Sequence, residues 1–386
     1  MRTHPLDALP LETLRRRSST KWRTYPDDVL PLFVAETDFA LAPAITEALN
    51  TAVALGDTGY TPPDLGVRDA FAGFAARRYG WTVEPARVRT TGDVMMGVVE
   101  LLRATTTPGD RVVTTPPVYP PFAMCIVEAG CRVEPVPLLD SGGGWALDLD
   151  GIDAALADGA RAVLLCNPHN PTGTVHDAAT LAALAEIVAR HGAVVISDEI
   201  HAPLASDDVP YTPFLAASST AAAVGYAVTS ASKAFNLAGL KCALIVTAHD
   251  RTSAVVAALP PEVEWRTGLF GAIAAVAAFD GASDEWLNAL HARLDTNRRL
   301  LADLIAVHLP RALYRIPQAG YLAWIDLTAY AWGDDPAARI LEEAKVALQH
   351  GPEFGPQGTG YVRLNFGCSP DLLVDAVERI GRLAVD

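Results

Sequence analysis

Lysine is nearly absent from this chain. Lysines and arginines together number 30 in 386 residues, and only four are lysines: Lys21, Lys233, Lys241 and Lys345. Positive charge is scarce overall, since 45 acidic residues set a formal net charge of −15. Such a surface repels nucleic acid and anionic membrane, so neither is expected as a partner. The one basic run, Arg15-Arg16-Arg17, reads as a solvated helix face. No apolar run reaches the roughly 18 residues needed to cross a bilayer. The longest, "GLFGAIAAVAAF" (268–279), reads as a buried helix, and "MRTHPLDALPLETLRRR" lacks the apolar centre of a secretory signal. Cysteine is sparse as well. Cys125, Cys131, Cys166, Cys242 and Cys368 are scattered, odd in number and without a CxxC pair. That argues against a disulfide frame or metal site and fits buried thiols in a reducing cytoplasm. The nine histidines show no HExxH spacing, so no metal is expected.

What is present is a chain long enough for one large or two medium domains. Strand-like and helix-like segments alternate from about residue 64, with no repeat that would indicate a solenoid. "RVVTT" (111–115), "CRVEPVP" (131–137), "RAVLLC" (161–166), "AVVISDE" (193–199), "AVGYAVTS" (222–230 in part) and "ALIVTA" (243–248) read as strands. "DLGVRDAFAGFAARRYG" (64–80), "PFAMCIVEAG" (121–130) and "DAATLAALAEIVARHG" (177–192) read as helices. Strands written as continuous apolar runs are buried on both faces, which implies an α/β fold with a mostly parallel sheet between helices. After about residue 283 a long helical stretch leads into "YLAWIDL" and "YVRLNF", the pattern of a smaller α+β domain. The expected division is an N-terminal segment (1–45) packing with the small domain, a large domain (46–282) and a small C-terminal domain (283–386).

In an open α/β sheet, ligands bind past the carboxyl ends of the strands. "NPHNPTG" (167–173) follows "RAVLLC", Asp198-Glu199-Ile200-His201 ends the next strand, and Ser230-Ala231-Ser232-Lys233 follows the one after. An amide, a carboxylate and an amine thus end three strands of one sheet, a set suited to a pyridine aldehyde. Each residue also has an ordinary explanation: Asp198 as a helix cap, Asn167 and Asn170 as turn residues before proline, Lys233 as a surface lysine. It is their joint placement that points to a site.

These motifs, "NPHNPTG", "SDEIHA" and "SASKAFNLAGLK", resemble the class I/II aminotransferase superfamily of fold type I pyridoxal-phosphate enzymes. "DVLPLFVAETDF", "GYTPPDLGVRDAF", "RRYGW" and "GYVRLNFGC" resemble its cystathionine β-lyase and cystalysin branch. The resemblance, which runs from about residue 19 to the end, implies a seven-stranded type of sheet and pyridoxal 5'-phosphate held on Lys233. A Schiff base needs a primary amine that can shed its proton, which arginine cannot do. By the same resemblance Asp198 keeps the ring nitrogen protonated, Asn170 donates to the ring oxygen with His201 assisting, and Tyr119 stacks on the ring face. Backbone amides of Gly92, Asp93 and Val94, with Ser230, Ser232 and Lys241, meet the phosphate, the Asp93 side chain pointing away. Tyr60 reaches the cofactor phosphate of a second subunit, which implies a homodimer with shared sites. Arg363 grips the substrate carboxylate and Tyr321 faces the substrate.

The reaction implied is β-elimination at a cysteine S-conjugate such as cystathionine, giving thiol, pyruvate and ammonia. Lys233 acts as the general base. Two variants use the same residues: transamination, and a lyase specialised for a bulkier thioether in natural-product metabolism. "PQAGYLAWIDL" carries Ala319-Gly320 where relatives often have Gly-Thr, which bears on the side-chain pocket. A reading of different class, a binding protein with a relic cofactor site, conflicts with the intact Lys233, Asp198, Asn170 and Arg363.

Overall fold

The protein is described from a computed structural model covering residues 6–384. Residues 1–5 and 385–386, the two extremes of the expected segment and small domain, lie outside the described residues. The main sheet has seven strands: Val88–Thr91 (β1), Arg111–Thr114 (β2), Arg132–Pro135 (β3), Ala160–Cys166 (β4), Val194–Asp198 (β5), Gly225–Thr229 (β6) and Ala243–Val246 (β7). Their order is β1-β7-β6-β5-β4-β2-β3, and β7 alone runs antiparallel to its neighbours.

The apolar runs predict strands buried on both faces, and alternate residues do enter two different cores. Val113, Val163, Leu165, Val195, Ala227 and Leu244 join one cluster, while Val112, Ala162, Leu164, Ile196, Val228 and Ile245 join the other. Helices close both faces. Val94–Thr105 (α1) and Pro121–Glu128 (α2) supply Val98, Leu102, Phe122 and Ile126 to one side. Ala178–Arg190 (α3) and Leu269–Phe279 (α4) supply Leu181, Leu184, Val188 and Ala275 to the other. Burying each such leucine is worth about 2 kcal/mol, so a charge at Leu184 would open that layer. Asp177 caps α3 by accepting from the Thr180 amide at 2.7 Å. The "AVGYAVTS" stretch is strand only from Gly225, because Ser219–Val224 is a short helix with Ser218 as its cap.

Asp284–His308 (α5) carries the chain to a second sheet, Leu313–Tyr314 (β8), Leu322–Asp326 (β9), Gln349–His350 (β10) and Tyr361–Asn365 (β11). Its order is β8-β9-β11-β10. Pro370–Arg382 (α6) lies against α5 and sends Leu373, Val377 and Ile380 inward. The N-terminal residues are tied here too: the Leu6 amide donates to Ala289 O at 3.2 Å, and Leu30–Pro31 pairs with Val346–Ala347.

Candidate active site

Register brings the chemistry together. Cys166 of β4 stands opposite Asp198 of β5, which stands opposite Val228 of β6. Three strands therefore end at one level, and the segments just past their tips must converge. A cavity of about 250 Å³ opens there. Gly92, Asp93, Val94, Tyr119, Asn170, Asp198, His201, Ser230, Ser232, Lys233 and Lys241 line it, joined by Met95, Cys166, Ile200, Ala238 and Cys242.

Asp198 is 3% exposed. Its Oδ1 accepts from the Ile200 amide at 3.0 Å, and burial pushes its carboxyl up to about 7 against the weaker pull of Lys233. Removing a carboxylate from water without a cation beside it is costly. The site asks for a positive group at this strand tip. Lys233 Nζ donates to Ala35 O at 3.3 Å. Burial, then the positive Arg363, lowers its amine to about 8, while Glu36 and Asp198 pull the other way. A part-neutral amine is a nucleophile and a base. Burial and the same two cations hold the His201 imidazole down at about 3, hence neutral.

Arg363 is 2% exposed, not the solvated strand residue that its type suggests. One guanidinium nitrogen donates to Asn170 Oδ1 at 3.0 Å, the other to Phe33 O at 3.0 Å and to Gln349 Oε1. The guanidinium lies 5.1 Å from the centre of the Phe354 ring. Since Asn170 spends its oxygen on Arg363, its NH2 is left for the cavity that it lines. Arg363 Nε is buried and has no partner among the described residues, and Arg363 stands behind the cavity lining, which it meets through Asn170.

At the opening of α1 the expectation needs correcting. The Asp93 side chain does not point away. It caps the helix, Oδ1 accepting from the Met96 amide at 2.8 Å, and Oδ2 takes Lys241 Nζ at 3.0 Å. The cap geometry aims the carboxylate back over its own first turn, where Lys241 already stands. Ser230 ties strand ends, donating to Cys242 O at 2.7 Å and accepting from the Ser232 amide at 3.1 Å. Tyr119 lines the cavity and packs edge-on against Phe122, its ring centre 6.0 Å away. Tyr321 is fully buried and does not line the cavity; its hydroxyl donates to Ala35 O at 2.9 Å. Tyr60 stands fully exposed, away from this cavity.

Sequence reasoning misses the Ala35 carbonyl as a partner of Lys233, and it misses Gln349. "AETDF" stands out in the sequence as a motif, but nothing local assigns its carbonyls a role. Gln349 has no local signal, because only the β10–β11 register sets it opposite Arg363.

A buried carboxylate without a cation, a depressed amine, a free amide NH2, a helix N-terminus with a lysine and a flat aromatic together match the groups of pyridoxal phosphate. The fold and the site define a pyridoxal-phosphate enzyme of fold type I. The model of the aminotransferase class I and II family matches residues 27–380, and the chain belongs to that family. A Mycobacterium leprae protein is 42% identical, with all of both chains covered. The cystathionine beta-lyase PatB of Bacillus subtilis is 36% identical over 92% of each chain. Cystalysin from Treponema denticola, whose crystal structure contains pyridoxal 5'-phosphate, superposes with a TM-score of 0.88 at 25% identity, covering 99% of both chains.

Proposed function

We propose that the protein is a pyridoxal-phosphate-dependent carbon–sulfur β-lyase acting on cysteine S-conjugates of the cystathionine type. The pairing of a Lys233 amine lowered to about 8 with a cation-seeking Asp198 at adjacent strand tips carries this reading. Relatives along the full chain that are named cystathionine beta-lyase support it.

Lys233 would hold the cofactor covalently. Asp198 would face its ring nitrogen, Asn170 and His201 its ring oxygen, and Tyr119 its flat side. The α1 amides at 92–94, Ser230, Ser232 and Lys241 would hold its phosphate. When bound, pyridoxal phosphate supplies an electron-accepting ring that makes the substrate α-carbon acidic. Asp198, ionised beside a cation, keeps that ring positive. Arg363, bonded to Asn170 of the cavity lining, would take the substrate carboxylate, and this contact would set which α-bond faces Lys233. Lys233 Nζ, released by the incoming substrate amine and held on the Ala35 carbonyl, would remove the α-proton as general base. The same amine, now charged, stands ready to return that proton. The thiolate departs from the β-carbon, and water converts the remaining three-carbon unit to pyruvate and ammonia.

Tyr60, fully exposed in one subunit, fits a homodimer in which it reaches the partner's phosphate. The test is product analysis with cystathionine. Pyruvate and thiol released with no added keto acid support the lyase. Keto acid formed only when a second keto acid is supplied would mean transamination.

A further inference from the structure

Residues 33–39 form a strap beside the cavity, and every carbonyl along it accepts a hydrogen bond. Arg363 donates to Phe33 O at 3.0 Å, Asn365 to Val34 O at 2.6 Å and Glu36 O at 2.7 Å. Lys233 and Tyr321 both donate to Ala35 O, at 3.3 and 2.9 Å. Arg17 and Asn236 each donate to Thr37 O at 3.1 Å, Arg17 to Phe39 O at 2.9 Å, and the Leu9 amide to Asp38 O at 2.9 Å. Beneath the strap lies Lys21. Its Nζ donates to Glu36 O at 3.1 Å and to Asp38 Oδ1 at 2.7 Å, and both side chains of this ion pair are 0% exposed.

A fully buried ion pair is an expensive way to join two segments, and apolar side chains of similar volume usually do it better. An apolar pair cannot donate to a carbonyl. The chain bends at 33–35, the Glu36 amide donating back to Val34 O at 2.9 Å, and with Val34 O and Glu36 O both held by Asn365 the peptide between them presents Ala35 O to the amine. Lys21 fixes the Glu36 end of that bend.

We infer that Lys21 is a positioning residue for the reacting amine: by holding the Glu36 carbonyl and the Asp38 carboxylate, it keeps the Ala35 carbonyl on Lys233 Nζ. The inference rests on Lys233 as the reacting group, not on which bond the enzyme breaks. Arg363, Glu36 and Asp198 are the charges around Lys233, and Arg17 and Glu36 those around the Lys21–Asp38 pair. None of these is altered in the test.

The variants are Lys21→Met and the double Lys21→Met/Asp38→Leu. The double variant removes both buried charges and so restores folding if the single one is unstable. Thermal melting, kcat and KM, the acid limb of kcat, and the pH midpoint for acylation of Lys233 in the apoenzyme are measured. Both variants are expected to lose about ten- to 100-fold in kcat with KM little changed. An acceptor on the amine favours its charged form, so losing it moves the acid limb and the acylation midpoint to lower pH. In the double variant melting recovers while kcat and midpoint stay displaced. If kcat and midpoint return with stability, or never move, the pair is only structural and the inference falls. The apoenzyme midpoint is read without substrate, so its outcome holds even if the proposed lyase reaction fails its own test.

Discussion

The cavity wall and the buried wall that backs it through Lys233 and Asn170 are built by different means. The cavity wall, proposed to take the cofactor, comes from the ends of β4, β5 and β6 and the start of α1, each of these groups within a few residues of a strand or helix terminus. The second wall, proposed to meet the substrate, is built from residues 33–39, Tyr321, Gln349 and Arg363, none of which lines the cavity itself; Tyr321 and Arg363 donate to the Ala35 and Phe33 carbonyls, and Arg363 also to the Gln349 side chain. One wall inherits its geometry from a sheet; the other depends on many single hydrogen bonds. A change on the first should abolish a step, and a change on the second should shift a constant.

The largest effect is expected on the first wall. Lys233→Ala should lower turnover about 10³-fold or more and remove the visible band of the bound cofactor, checked by thiol release and absorbance. On the second wall, Arg363→Ala should raise KM about 100-fold, because an anion loses a charge-assisted partner worth about 2–3 kcal/mol. Initial-rate kinetics decide this, and an unchanged KM would separate Arg363 from substrate. Gln349→Ala removes only a buttress of Arg363. KM should rise about fivefold, the equivalent of about 1 kcal/mol, with kcat unchanged.

A separate effect is expected on apoenzyme stability, and it singles out the first wall. The folded carboxyl of Asp198 sits at about 7 against an ordinary 3.8. Between those values the folded protein holds a proton that the unfolded chain has lost. Its contribution is therefore complete below the lower value and declines as pH rises through the upper one. Asp198→Asn should flatten that decline in denaturant titrations of the apoenzyme across this window. Cofactor loading should flatten it too, by giving the carboxylate a cation. Buried His169, His176 and His201, all held low, slope the opposite way and stay the same in both proteins.

Legibility in the sequence follows the same division. "NPHNPTG", "SDEIHA" and "SASKAF" are readable because a strand's apolar run announces where its tip falls, and the chemistry follows within three or four residues. Arg363 is found only through resemblance, since a strand-face arginine is more often solvated. Asp93 lines the cavity, but its side chain is turned to Lys241, a partner 148 residues away that no local pattern announces. Gln349 and the Lys21–Asp38 pair are not legible at all.

The order of apolar runs and caps was enough to decide a doubly covered sheet and which residues stand at its strand ends, a lysine among arginines included. Burial turned Asp198 into an acid waiting for a cation and pulled the Lys233 amine toward neutrality. Register and long-range packing brought a carbonyl from residue 35 onto that amine. Those are consequences of where distant segments exclude water together, and a local pattern of residues contains no measure of that.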